Sequence, residues 1–311
     1  MFEELNTIAT FDELIKKADD IQSRCSDEII AANALRMDDD LKLNGTSLSG
    51  FAQGELCGKL HIPGRYFSHM VGAKQNHLAA ENVNTWLADD TRKLMLRKYD
   101  GHIRGVMSSS YSKYDAPDIL RSTRDAFGDK NFELKGSFIN EERLHIRFIE
   151  NEMLPIEGED LFAGISIDSS DVGRSGLYAS FLIYKQVCTN GLKLVKGSSK
   201  IFRQKHIGIT SEDFKHDLEE GFASFDAIKN GAIETVEETR RIPLPKDLNK
   251  MQEDIKKRTL LSDDDVTEVF DLLPRYGNNR WGLINGITEV AQKFTLETRL
   301  RLEEAAGMML A

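Results

Sequence analysis

The sequence predicts an α+β protein: a central, mostly antiparallel sheet that includes a β-hairpin, flanked by helical regions at both ends. Three observations carry this. Apolar residues recur at helical spacing in the first 90 residues, alternate with polar ones from Thr91, and return to helical spacing after Gly208. Charge divides the chain at nearly the same places. Residues 1–90 hold 8 Lys and Arg against 15 Asp and Glu, residues 91–210 hold 19 against 15, and residues 211–311 hold 14 against 21. The expected organisation is an N-terminal helical region over 1–90, a basic antiparallel sheet over 91–210 and an acidic C-terminal helical region over 211–311.

Taken in order, "FDELIKKADDIQSR" puts Phe11, Leu14, Ile15, Ala18 and Ile21 on one helical stripe. A second helix is expected around Leu48 to Leu60, and Pro63 opens a third. "RKLMLRKYDGHIRGVM" then alternates about an Asp100-Gly101 turn, the pattern of a hairpin. "APDILRSTRDAFGD" is a short helix with Pro117 in its first turn and Gly128 near its end. Strands follow at "FELKGSFI", "RLHIRFIE" and "LFAGISIDSS", then the loop "DSSDVGRSG", the strand "LYASFLIYKQVC", a turn at Thr189 to Gly191, and "LKLVK". Phe214, Leu218, Phe222, Phe225 and Ile228 start a long helix reaching Arg240, "IPLP" breaks it, and amphipathic helix ends the chain, its Gly282 and Gly286 allowing another element to come close.

Several function classes find no support. No apolar run approaches the ~20 residues of a membrane span, and the acidic N-terminus is unlike a secretory signal, so the chain reads as cytoplasmic. Cys25, Cys57 and Cys188 are odd in number and far apart, which fits reduced thiols. His61, His69 and His77 recur every eight residues, off the four-residue spacing of helical metal pairs. No Walker, GxGxxG, GxSxG or HExxH sequence is present, and the chemistry expected calls for no cofactor and no catalytic residue.

What remains is the basic island. From Val172 to Ser211 no residue is acidic, while Arg174, Lys185, Lys193, Lys196, Lys200, Arg203 and Lys205 are all cationic. The hairpin supplies Arg92, Lys93, Arg97, Lys98, Arg104 and Lys113, interleaved with Tyr99, Tyr111 and Tyr114. Cations that pair with phosphates beside aromatic faces that stack on bases are what single-strand binders use. With both stretches in one sheet they would form a groove for single-stranded DNA or RNA. The local field, set within about 8 to 10 Å, matters more for this than the net charge of −10. A rival reading uses Asp168 and Asp171 as Mg²⁺ ligands of a nuclease.

The ordered blocks "FAQGELCGKLHIPGRYF", "NVNTWL", "LMLRKYDGHIRGVMSSSYSKYDAPDIL" and "DVGRSGLYASFLIYKQVCTNGLKL" resemble the phage/plasmid-like protein family, a domain of prophages and plasmids. The resemblance implies a mobile-element setting and supplies no catalytic residues. The basic hairpin and sheet backed by a long helix are similar in arrangement to single-strand annealing proteins. That similarity implies annealing or recombination by a homo-oligomer assembled through the acidic helices. A third possibility is a factor that binds a host protein through its acidic surface.

Overall fold

The structure is a computed structural model, and it describes residues 10–128, 131–185, 190–193, 200–204 and 210–310. It is an α+β fold of two antiparallel sheets with helices on either side, as the periodicities require. No helix among the described residues is long and apolar enough to cross a membrane.

The first sheet has three strands in the order β1 (Cys25–Ala31), β2 (Lys93–Tyr99) and β3 (His102–Ser108). Asp100 and Gly101 turn the β2–β3 hairpin with positive φ at both residues, the backbone that a tight two-residue turn demands. Leu94 and Leu96 of β2, with Ile103 and Val106 of β3, join a core built by α2 (Gly50–Lys59), α3 (Gly64–Gly72) and α4 (Asn76–Ala88). Strand β1 was not legible: "CSDEIIA" does not alternate in hydropathy, and as an edge strand it leaves Ile29 57% exposed.

The second sheet runs β4 (Phe132–Ile139), β5 (Leu144–Met153), β6 (Leu161–Ser169), β7 (Leu177–Lys185) and β8 (Asn190–Lys193), with β9 (Lys200–Gln204) also paired to β7. Its register places Ile146, Phe148, Ala163, Ile165, Ile167, Ala179, Phe181 and Ile183 on one buried face. Against that face pack α1 (Phe11–Ser23), α5 (Ala116–Phe127), α6 (Ser211–Ala223) and α7 (Phe225–Arg241). Phe127, Phe132, Phe148 and Phe222 meet there with ring centroids 4.7 to 5.4 Å apart, the separations of edge-to-face and stacked aromatic pairs.

Two expectations need correction. The hairpin does not share a sheet with the later strands. It pairs with β1, because Cys25–Ala31 supplies an antiparallel edge partner in full register from Cys25–Tyr99 to Ala31–Lys93. The cores also depart from the charge boundary at residue 90: α2–α4 and the hairpin bury one apolar cluster, while α1 joins the cluster of the second sheet. The expected long helix from Phe214 breaks at Ser224, whose N–H is taken by Glu220, Gly221 and Phe222 carbonyls, and the C-terminal helix is interrupted at Ala291–Lys293 between α11 (Arg280–Val290) and α12 (Leu296–Gly307). The helices α8 (Leu248–Thr259), α9 (Asp263–Asp271) and α10 (Leu273–Tyr276) fill the stretch after the "IPLP" break. A Cβ on Gly286 would lie 2.8 Å from the Val269 carbonyl oxygen of α9, so this glycine lets the two helices touch.

Candidate functional site

Of the hairpin cations expected to face phosphate, Arg97 and Arg104 turn inward. Residues Met95, Arg97 and Tyr99 alternate with the leucines of β2, and the loop after β6 and the start of α5 reach Arg97 on the face they present. Arg97 is 1% exposed. Its Nε and one terminal nitrogen donate to the two oxygens of Asp27 at 2.8 and 2.9 Å. The other terminal nitrogen donates to Asp115 Oδ1 at 2.5 Å and to the Asp171 carbonyl at 2.8 Å. Arg104, 2% exposed, donates to the Glu141 carbonyl at 3.0 Å and approaches Asp171 Oδ2 at 3.4 Å.

These contacts join the two sheets. The loop "DSSDVGRSG" packs onto β3: Val172 is fully buried, and a Cβ on Gly105 would lie 2.9 Å from that of Val172. Gly105 pairs with Arg97 across the hairpin, so the missing side chain opens the space that the loop enters. Tyr111 donates its hydroxyl to the Ser170 carbonyl at 2.7 Å, and Ser170 Oγ accepts from the N–H groups of Val172 and Arg174. The loop is folded on its own serine.

The charges at this joint perturb one another. Burial works to raise the Asp27 carboxyl, but hydrogen bonds from Arg97 and Lys113 and their charges bring it below the usual carboxylate range. Asp115 goes the other way, pushed up by burial and by the Asp171 charge in spite of Arg97. Burial, with Asp171 nearby, likewise raises the Tyr111 phenol.

The remaining expected cations divide. Lys113 pairs with Asp27 at 2.9 Å, Lys98 with Glu28 at 2.7 Å across the β1–β2 pair, and Arg92 with Asp90. Lys93 is exposed. Tyr99, 6% exposed, lies under the Arg24 guanidinium at 4.5 Å, which occupies a face of its ring, and the Tyr111 hydroxyl is held by the Ser170 carbonyl. Arg174 lies 3.4 Å from Glu142 and 3.6 Å from Glu297. Lys185 donates to Glu159 at 2.8 Å and Asn285 at 3.0 Å. Lys196 and Lys205 lie outside the described residues. Lys193, Lys200 and Arg203 lie on strands β8 and β9.

Those two strands share one flank of β7. β8 pairs with its Leu182–Lys185 half and β9 with its Leu177–Ser180 half, so they are two segments of one edge strand separated by residues 194–199. At about 3.4 Å per residue the edge follows the nine residues of β7 for roughly 30 Å. Lys193, Lys200 and Arg203 thus belong to the strand segments at one border of the larger sheet.

The carboxylates of the nuclease reading are engaged elsewhere. Asp168 Oδ1 lies 2.6 Å from His145 Nδ1, whose Nε2 accepts from Arg147 Nε at 3.0 Å, which fixes the ring proton on Nδ1. Arg147 continues to Glu303, which also accepts from Arg299 at 3.0 Å. Asp171 faces Arg104 at the joint. Among the described residues no group of three or more His, Cys, Asp or Glu is placed to hold a metal ion. The buried chain from Asp168 to Arg299 escaped sequence reading, although His145 and Arg147 alternate with Leu144, Ile146 and Phe148 on β5 and so had to share the other face.

Sequence reading also passed over two exposed aromatics, Tyr66 on α3 and Trp86 on α4, 52% and 56% exposed. A second acid-free run, from Leu56 to Ala80 with Arg65 and Lys74, was a signal for Tyr66, while Trp86 lies beyond it, after Glu81. Comparison with family models, curated proteins and solved structures gives no match for this chain, so the resemblance to the phage/plasmid-like family rests on the four sequence blocks.

Proposed function

We propose that this protein binds single-stranded nucleic acid, DNA or RNA, along the β8–β9 border of its larger sheet, in the manner of an annealing or recombination protein of a mobile element. The observation that carries the reading is a border of the larger sheet drawn from an acid-free, basic run. Arg97, Lys98, Arg104 and Lys113 have carboxylates from other segments beside them, and Lys193, Lys196, Lys200, Arg203 and Lys205 fall within thirteen residues of an acid-free run whose two strands form a sheet edge. An edge strand keeps one row of backbone groups unpaired, and basic side chains there serve a polyanion while discouraging edge-to-edge aggregation. Assembly into a homo-oligomer through the acidic helices belongs to the same proposal.

The test is a titration of labelled single-stranded and duplex oligonucleotides at several salt concentrations. With five phosphates neutralised, a log–log slope of about −3.5 is expected for single strands. Replacing Lys193, Lys200 and Arg203 together by Gln should remove roughly three contacts and flatten the slope to about −1.4 by the same rule. Affinity that ignores salt, or a triple variant that binds like the parent, would remove this edge from consideration. Sedimentation of the free protein and of its complex decides whether it assembles.

A further inference from the structure

A cleft of about 780 Å³ opens between the segment Pro243–Asp247, helix α8, the start of α11 and the end of the chain at Met308 and Met309. Its floor is apolar, with Ile255 and Leu283 both buried. Met251, Met308 and Met309 form walls, and methionine, unbranched and polarisable, adapts to apolar bodies of varied outline. The volume falls in the ordinary range of small-molecule sites, about 300 to 1,000 Å³.

The rim carries an excess of positive charge. Lys246, Lys250, Arg258 and Arg280 reach it, against two carboxylates, Asp247 and Asp254. Asp247 is partly occupied as the cap of α8, accepting from the Lys250 N–H at 3.1 Å. Asp254 lies at four-residue spacing between Lys250 and Arg258 on α8, yet neither cation forms an ion pair within 4 Å among the described residues. Three exposed cations, Lys246, Lys250 and Arg258, therefore stand beside an apolar hollow with no internal counter-charge taken up.

We propose that this cleft binds a small amphiphilic anion, a carboxylate or phosphate head on an apolar body, with the head at Lys250 and Arg258 and the body on Met251, Met308 and Leu283. The inference is independent of the nucleic-acid reading. A polyanion needs a track of spaced phosphates, whereas this hollow offers one cluster of cations around an apolar floor.

Isothermal titration of the full chain with decanoate, and with decyltrimethylammonium as its cationic counterpart, tests it. Decanoate should bind at one site about tenfold or more tightly than the cation, a difference of about 1.4 kcal/mol. Lys250→Gln with Arg258→Gln should abolish that preference. Asp254→Asn, which removes the opposing carboxylate, should tighten decanoate severalfold, a gain that misfolding cannot produce. Met308→Glu should weaken decanoate while leaving the melting temperature unchanged, since Met308 is exposed. Equal binding of both amphiphiles, or a response of decanoate to none of these variants, would overturn the proposal.

Discussion

Two basic stretches of similar composition fall in different sheets of this molecule. The hairpin carries Arg97 and Arg104 into the joint between the sheets, where Asp27, Asp115 and Asp171 surround them, although no acid lies between Arg92 and Tyr99 in sequence. The edge formed by β8 and β9 draws on an acid-free run of forty residues. What separates them is the sheet each joins. The far side of β2 lies under the loop after β6, so any cation there needs a buried carboxylate, and three segments supply one. Strands β8 and β9 instead extend the larger sheet, β8 beside α11 and α12 and β9 beside α6.

The strongest check on this difference is Arg97→Leu. It leaves Asp27 and Asp115 without their shared cation inside the protein, and removing one partner of a buried ion pair costs about 3 to 5 kcal/mol. Urea unfolding should report that loss. Reduced oligonucleotide affinity at unchanged stability would instead return Arg97 to the binding surface.

Gly105→Val comes next. The added side chain meets Val172 where a Cβ alone would approach to 2.9 Å, and overpacking of this kind costs about 1 to 3 kcal/mol. Val172→Ala in the same chain should recover part of it, so that the double variant is more stable than additivity predicts. Strict additivity would mean that the loop is not seated on β3.

Acidity probes the joint from another side. Because the Asp27 carboxyl is held below its ordinary range, its share of stability is complete above the unfolded value, about 3.9, and is lost as pH falls through the folded one. Asp115, pushed up, acts in the opposite sense, its share being lost as pH rises through its raised value. The stability gap between the parent and Asp27→Asn should accordingly shrink between about pH 5 and pH 2, measured by chemical denaturation at each pH. A gap that stays constant would deny the Asp27–Arg97 pairing.

The smallest effects belong to the surface. Tyr111→Phe deletes one hydrogen bond to the Ser170 carbonyl, about 0.5 to 1.5 kcal/mol, with no change in oligonucleotide affinity. Lys98→Gln, losing a half-exposed pair with Glu28, should shift stability by less than about 1 kcal/mol. A large loss of affinity in either variant would place the hairpin back among the nucleic-acid contacts.

The sequence disclosed what depends on short-range periodicity and withheld what depends on pairing partners. Helix α1, the hairpin turn at Asp100-Gly101 and strands β4 to β7 follow from alternation and turn chemistry within a dozen residues. That β2 would pair with Cys25–Ala31 could not be seen, because nearly seventy residues separate them and β1 itself does not alternate. The same reason hid the site. Arg97 looks like any surface arginine until Asp27 and Asp115, 70 and 18 residues away, are known to converge on it. Lys185 was misjudged likewise, since Glu159 and Asn285 reach it from other elements.

The placement of α1 has a consequence for how the chain is made. Leu14, Ile15 and Ala18 pack into the core of the second sheet and its helices, with α5 among their neighbours, yet α5 begins at Ala116, 93 residues after α1 ends at Ser23. Directly after α1, β1 enters the other sheet and waits for β2 at Lys93. During synthesis the first helix therefore emerges long before the surface it covers, with its apolar stripe uncovered while the smaller lobe completes itself. Contacts so distant along the chain close late in folding. A ribosome-bound chain of which residues up to about 110 have cleared the exit tunnel should thus hold a formed hairpin lobe with α1 still open to hydrophobic capture by a chaperone.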